Sequence, residues 1–213
     1  MDIITQIQQV IQGLQNELNR AAPDIDGTVS RGTVEPLAGY CANLQVRFPE
    51  LKGIHNTWPV WISFSINLDF SQLLAGQPTS KSTPMLQDYL HPWLQIYLYR
   101  TCPFVLFITP ERTDFMTRIT RAIGLESRGL QLGMLDFDTR YLLDCRANPE
   151  KAEAFLRTRN IPRKIQSLDA LHLLRFESTY IKLVTSLDPP ENYSAEHVLK
   201  YVRTLADIAN ALG

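Results

Sequence analysis

From Trp58 to Phe70 the chain alternates with little interruption: Trp58, Val60, Ile62, Phe64, Ile66 and Leu68 fall on one side, and Trp61, Ser63, Ser65 and Asn67 on the other. A period of two over such a run marks a strand, because successive Cβ atoms point to opposite faces. An apolar row backed by a polar row also requires a sheet with one face covered and the other open to water, which is the usual condition of antiparallel sheets. Tyr40 to Phe48, Trp93 to Arg100 and Phe104 to Thr109 share the β-branched and aromatic composition, and Thr101-Cys102-Pro103 between the last two predicts a hairpin.

The second half of the chain also contains strands followed by helices, without a convincing internal repeat of the first. Between Met134 and Arg146, the residues Leu135, Phe137, Tyr141, Leu143 and Cys145 oppose Asp136, Asp138, Arg140, Asp144 and Arg146, which predicts one long half-buried strand. Asn148 and Pro149 then cap and open a helix that buries Ala152, Phe155 and Leu156, since proline at the first helical position loses no needed hydrogen bond. Pro162 opens a further short turn, and Leu171 to Phe176 with Thr179 to Thr185 predicts a hairpin about Glu177-Ser178. Between the halves, Gly76 to Pro84 has the chemistry of an irregular loop, and Thr113 or Asp114 is placed to cap a helix that Gly124 stops.

Each end of the chain carries an amphipathic helix. Asp2 to Arg20 places Ile4, Ile7, Ile11, Leu14 and Leu18 on one stripe, opposite a nearly uncharged face rich in glutamine, unlike the lysine- and arginine-bearing face of a membrane-surface helix. The last helix, capped by Ser194, places Val198, Val202, Leu205, Ala209 and Leu212 on a similar stripe. Both stripes are expected to bury against protein, either the chain's own sheet or a second copy. The fold class is therefore α+β, with antiparallel sheets, helices packed on one side and two small lobes. Its expected organisation is an N-terminal amphipathic helix over 1–22, an aromatic-rich β lobe over 23–130 and a strand-helix-hairpin-helix lobe over 131–213.

The chain has 213 residues, 45% of them hydrophobic, enough to fill a core without staples. Lysine and arginine total 21 against 22 acidic residues, so no global field draws nucleic acid or an anionic membrane. Cys41, Cys102 and Cys145 have no CxxC spacing, and the N-terminus lacks a basic stretch followed by an apolar one. These features lead to the expectation of a reducing, cytoplasmic setting and no membrane insertion.

No Walker loop, GxGxxG or GxSxG occurs, and His55, His91, His172 and His197 lack ligand spacing, so no catalytic residue, metal or cofactor is assigned. Asp136 and Asp138, on one face of the expected strand, are the carboxylates that a cleft between lobes would use in an enzyme or small-molecule binder. Arg140, Asp144 and Arg146 continue that face, which makes a solvated mixed-charge row the simpler account. Arg157, Arg159, Arg163 and Lys164 form a basic cluster suited to an anionic partner such as nucleic acid. The cluster lacks interleaved aromatics, however, and Glu150 and Glu153 share its helix. Trp58, Trp61 and Trp93 are candidate binding anchors, Trp61 in particular because it falls on the polar side of its strand. Ile7 and Leu14 are the stripe residues that a protein partner would cover.

Gly133 through Tyr141, with Phe137 and Asp138 at its centre, is followed by the Asn148-Pro149 helix and the Leu171 to Thr185 hairpin. This segment resembles the soluble part of bacterial proteins of domain of unknown function 3137, which share a G-x-x-x-F-D-x-x-[FY] strand, a helix and a small terminal sheet. The resemblance implies a bacterial α+β domain with no assigned activity, so no functional residues carry over. The leading functional expectation is a non-enzymatic protein-interaction or accessory module, its partner another protein or a second copy in a homodimer.

Overall fold

The computed structural model of the chain describes residues 3–36, 44–67, 91–111, 129–158, 160–186 and 193–213. In chain order the elements are α1 (Ile3–Ala21), a 3-10 turn (Ala22–Ile25), β1 (Thr28–Val29), β2 (Thr33–Pro36), β3 (Leu44–Arg47), β4 (Leu51–His55), β5 (Trp58–Asn67), β6 (His91–Leu98) and β7 (Val105–Pro110). There follow α2 (Leu135–Asp138), β8 (Tyr141–Ala147), α3 (Pro149–Leu156), α4 (Ile161–Gln166), β9 (Leu171–Phe176), β10 (Ile181–Ser186) and α5 (Ala195–Asn210). The class is α+β: eight strands form one sheet in the order β1, β4, β5, β6, β10, β9, β7, β8, and β2 pairs separately with β3. The start of the Tyr40 strand, the end of the Trp58 strand, the Gly76 to Pro84 loop and the helix expected after Thr113 lie outside the described residues.

The chain divides into two compact units, Met1–Ile96 with Ser186–Lys200, and Tyr97–Thr185 with Tyr201–Gly213. In the first, α1 forms because Ile7, Ile11, Leu14 and Leu18 recur at spacings of four, three and four and reach one buried face. Ile7 is 6% and Leu14 1% exposed. Both are thus covered by their own chain, and neither is left for a partner to cover. Ile7 and Ile11 pack with Val10, Val34, Val46 and Phe48, joining the helix to the β2–β3 pair. Pro23 ends the α-helical hydrogen bonding and the 3-10 turn carries the chain to Asp26, which adopts a left-handed conformation with φ 43°. β4 passes directly beneath that turn: a Cβ on Gly53 would overlap the Ile25 carbonyl oxygen and lie 2.8 Å from Gly27 Cα. β4 and β5 form a hairpin in which Leu51 faces Ile62 and His55 faces Trp58, with Asn56 taking positive φ in the two-residue loop. At the start of α5, Ser194 Oγ accepts the His197 N–H at 3.2 Å as predicted, and the Glu17 carboxylate accepts the Ala195 N–H at 2.9 Å.

In the second unit the β9–β10 hairpin forms as expected, closed where the Glu177 N–H donates to the Tyr180 carbonyl at 2.9 Å. The predicted hairpin of β6 with β7 does not form, because β10 and β9 stand between them in the sheet. After β6 the chain instead crosses the end of the β9–β10 hairpin. The Arg100 N–H donates to the Thr179 carbonyl at 3.1 Å and the Cys102 N–H to the Ser178 carbonyl at 3.3 Å, before Pro103 removes a donor and β7 begins. β7 then pairs with β9 on one edge and with β8 on the other. Phe104, Phe155 and Phe176 meet with ring centroids 5.3 to 5.6 Å apart, and Tyr201 of α5 is buried with its hydroxyl donating to the Asp169 carbonyl at 3.1 Å.

The strand expected from Met134 begins only at Tyr141, where the alternation of buried and exposed residues does hold. Residues Leu135–Asp138 instead make one helical turn. The Asp138 carboxylate accepts the Leu132 N–H at 3.1 Å and the Met134 N–H at 2.9 Å, a local side-chain capture of backbone donors that competes with strand pairing. Leu135 is left 78% exposed while Phe137 is buried. Asn148 also departs from its expected role. It sits before α3 with φ 55°, and its amide donates to the Pro103 carbonyl at 2.8 Å without capping the helix.

Candidate functional site

On the outer face of β4 and β5, cross-strand register sets Lys52 opposite Trp61 and Ile54 opposite Pro59. The inner residues of these strands, Leu51, Val60 and Ile62, are buried. The Gln95 amide donates to Ser65 Oγ at 2.7 Å, which places Gln95, and Trp93 two residues before it, on the same outer face of β6. Trp61 is half-buried, and its indole N–H donates to Glu50 Oε2 at 3.2 Å. The Lys52 ammonium lies 5.5 Å from the Trp61 ring centroid and 3.6 Å from the Glu50 carboxylate. Ile54 is 51% exposed beside them. The result is an exposed apolar patch of Ile54, Pro59 and Trp61 with the Lys52–Glu50 pair at its Trp61 end. Trp58 lies on the opposite face of β5, with Val60, so the three tryptophans do not converge.

The second unit has a differently built outer face. Asp144, Phe107, Arg175 and Lys182 stand opposite one another across β8, β7, β9 and β10. The guanidinium carbons of Arg146 and Arg175 lie 4.4 and 4.6 Å from the Phe107 centroid, and Lys182 lies 4.8 Å from that of Tyr97. Arg146 pairs with Asp144 at 3.0 Å and Arg175 with Glu177, so this row carries its own counter-charges.

The other sequence candidates do not assemble. Asp136 and Asp138 share a helical turn in place of a strand face, and Asp138 is engaged by two backbone amides. In the basic cluster Arg157 pairs with Glu153 at 2.8 Å and Lys164 with Asp207, Arg163 is exposed, and Arg159 lies outside the described residues. Among the described residues no group of three or more His, Cys, Asp or Glu is placed to hold a metal ion.

The described cysteines suit inert thiols. Burial pushes Cys102 up to about 11, with Glu177 adding to the rise and Arg100 opposing it, and burial also raises Cys145. Because the folded protein holds the Cys102 proton more tightly than the unfolded chain, this group's contribution to stability is full below 9.0 and is lost as pH rises to about 11. Denaturant unfolding at the two ends of that window should show the wild type losing roughly 2 kcal/mol more than Cys102→Ala.

A further concavity in the first unit, about 510 Å³, lies between the glutamine face of α1 and residues Arg31 to Val34. The sequence marks these glutamines only as the nearly uncharged face of α1, and no signal in the chain marks the strand that faces them.

No family model matches the chain. No curated protein matches it. Among solved structures it is similar to the crystal structure of the mycobacterial trehalose monomycolate transport factor A, TtfA, with a TM-score of 0.52 over 95% of this chain and 97% of that one, at 11% identity. At that identity the likeness is one of fold. No helix among the described residues is long and apolar enough to cross a membrane.

Proposed function

We propose that the protein is a non-enzymatic accessory module that binds another protein through the outer face of β4 and β5, with Trp61 and Ile54 as anchors. The observation that carries this reading is Ile54, 51% exposed, beside a tryptophan fixed by Glu50 and Lys52. An exposed apolar patch bordered by charged groups fits a protein interface, and tryptophan is over-represented among residues that dominate binding energy. The partner that fits offers an apolar pocket with a polar or charged group to meet the Lys52–Glu50 pair at one end. The fold likeness to a transport factor supports an accessory role.

The test is affinity capture from the source cell, purification of the captured protein and calorimetric titration against wild type, Trp61→Ala and Ile54→Asp, with circular dichroism to establish folding. Each folded variant should weaken binding by about thirtyfold, near 2 kcal/mol. Unchanged affinity in both would overturn the assignment, and sedimentation of the isolated chain separates a second copy from a different partner.

A further inference from the structure

Beyond the Trp61 face, we propose that the cleft between α1 and β2 captures an extended peptide bearing an acidic side chain, pairing it with the open edge of β2. β2 pairs with β3 through Thr33 opposite Arg47 and Val34 opposite Val46, and among the described residues β3 is its one strand neighbour. The Gly32 N–H turns to the other side, donating to Gln15 Oε1 of α1 at 3.3 Å. Main-chain groups alternate in direction along an antiparallel strand, so Val34, two residues on, directs its N–H and C=O to the side that Gly32 faces. That is the side lined by the helix.

The opposite wall is built to meet a peptide backbone. Gln8, Gln12 and Gln15 follow spacings of four and three and so lie along one line of α1. Gln15 already meets the strand's backbone at Gly32. Gln12 donates to Asn16 Oδ1 at 2.9 Å, which leaves its own carbonyl oxygen available. Gln8 and Gln9 are exposed, and each carboxamide offers both a donor and an acceptor, the pair of functions that a strand backbone presents in return. Gly32 keeps the wall thin, since a Cβ there would meet Ile11 Cγ2, Pro49 Cδ at 2.8 Å and the Arg47 carbonyl at 3.0 Å. The volume of about 510 Å³ suits a few residues of extended chain. Among the described residues of the lining no aromatic ring is present to stack on a sugar and Arg31 is the single charged side chain, which favours an acidic occupant. Recognition by strand addition takes its affinity from main-chain hydrogen bonds and is tolerant of side-chain sequence.

That tolerance determines the probe. Pools of acetylated, amidated pentapeptides, random except for a central glutamate or a central lysine, are titrated into 15N-labelled protein and followed by heteronuclear NMR. The glutamate pool should shift the Val34 amide and the side-chain NH2 signals of Gln8, Gln9 and Gln12. The lysine pool should bind about tenfold more weakly, and Arg31→Glu should reverse the preference. A glutamate pool N-methylated at alternate backbone positions should lose the shifts. Absence of shifts at millimolar pool, or equal shifts from the N-methylated pool or from free glutamate, would overturn strand capture.

Discussion

Replacing Phe176 with alanine should destabilise the protein by about 3–5 kcal/mol, a large share of the roughly 5–15 kcal/mol available to a domain. Phe176 is 0% exposed on β9, facing Ile181 of β10 and Leu106 of β7 in the ladder, while its ring sits between those of Phe104 and Phe155. Truncation removes the buried ring area and leaves a void whose walls are two further rings and two strands, none of which can collapse without disturbing the ladder. Phe176→Leu should recover more than half of the loss because it restores most of the volume. Urea unfolding of the three proteins, compared at equal slope, measures both quantities.

Two glycines should respond with opposite signs. Gly53→Val should cost about 3 kcal/mol or more, because its Cβ would enter the space of the Ile25 carbonyl and Gly27 Cα, which are backbone atoms that cannot rotate aside. Gly13→Ala should instead stabilise by about 0.5–1 kcal/mol, since it lies within α1 with nothing within 4 Å of the added carbon, and alanine loses less conformational freedom on forming a helix. Thermal melts of both variants test the assignment. Equal and small shifts would mean that β4 does not lie against the 3-10 turn as described.

The sequence made visible what depends on local periodicity. The α1 stripe, the alternation of β5 and of Tyr141 to Ala147, the β9–β10 hairpin and the Ser194 cap were all legible, because each is determined by residues within a few positions of one another. Residues 134–140 were misleading: a period of two over so short a run also fits a loop with one helical turn. The decisive force there, Asp138 reaching back to the amides of Leu132 and Met134, is a hydrogen-bonding event and leaves no trace in hydropathy. The order of β6 and β7 was illegible for another reason. Turn residues at Thr101-Cys102-Pro103 say that one strand ends, and they cannot say that a hairpin from much later in the chain will occupy the adjacent place. Among the sites, Trp61 could be singled out because it broke the polar pattern of its strand face. The cleft could not, since it arises where exposed glutamines meet the edge of β2, which hydropathy does not connect to them.

The interposed β9–β10 hairpin has a consequence in time. β7 leaves the ribosome before either β8 or β9, the strands that take up its two edges, has been made, and Leu106 must wait for Phe176. Until β8 is made, Leu106 and Ile108, both fully buried in the finished fold, belong to a strand with neither neighbour, and until β9 is made one edge of β7 stays open. β9 and β10, adjacent in sequence and joined by a tight turn, can then close on that edge together, and nascent chains truncated before β9 should be the species most exposed to aggregation and to chaperones during synthesis.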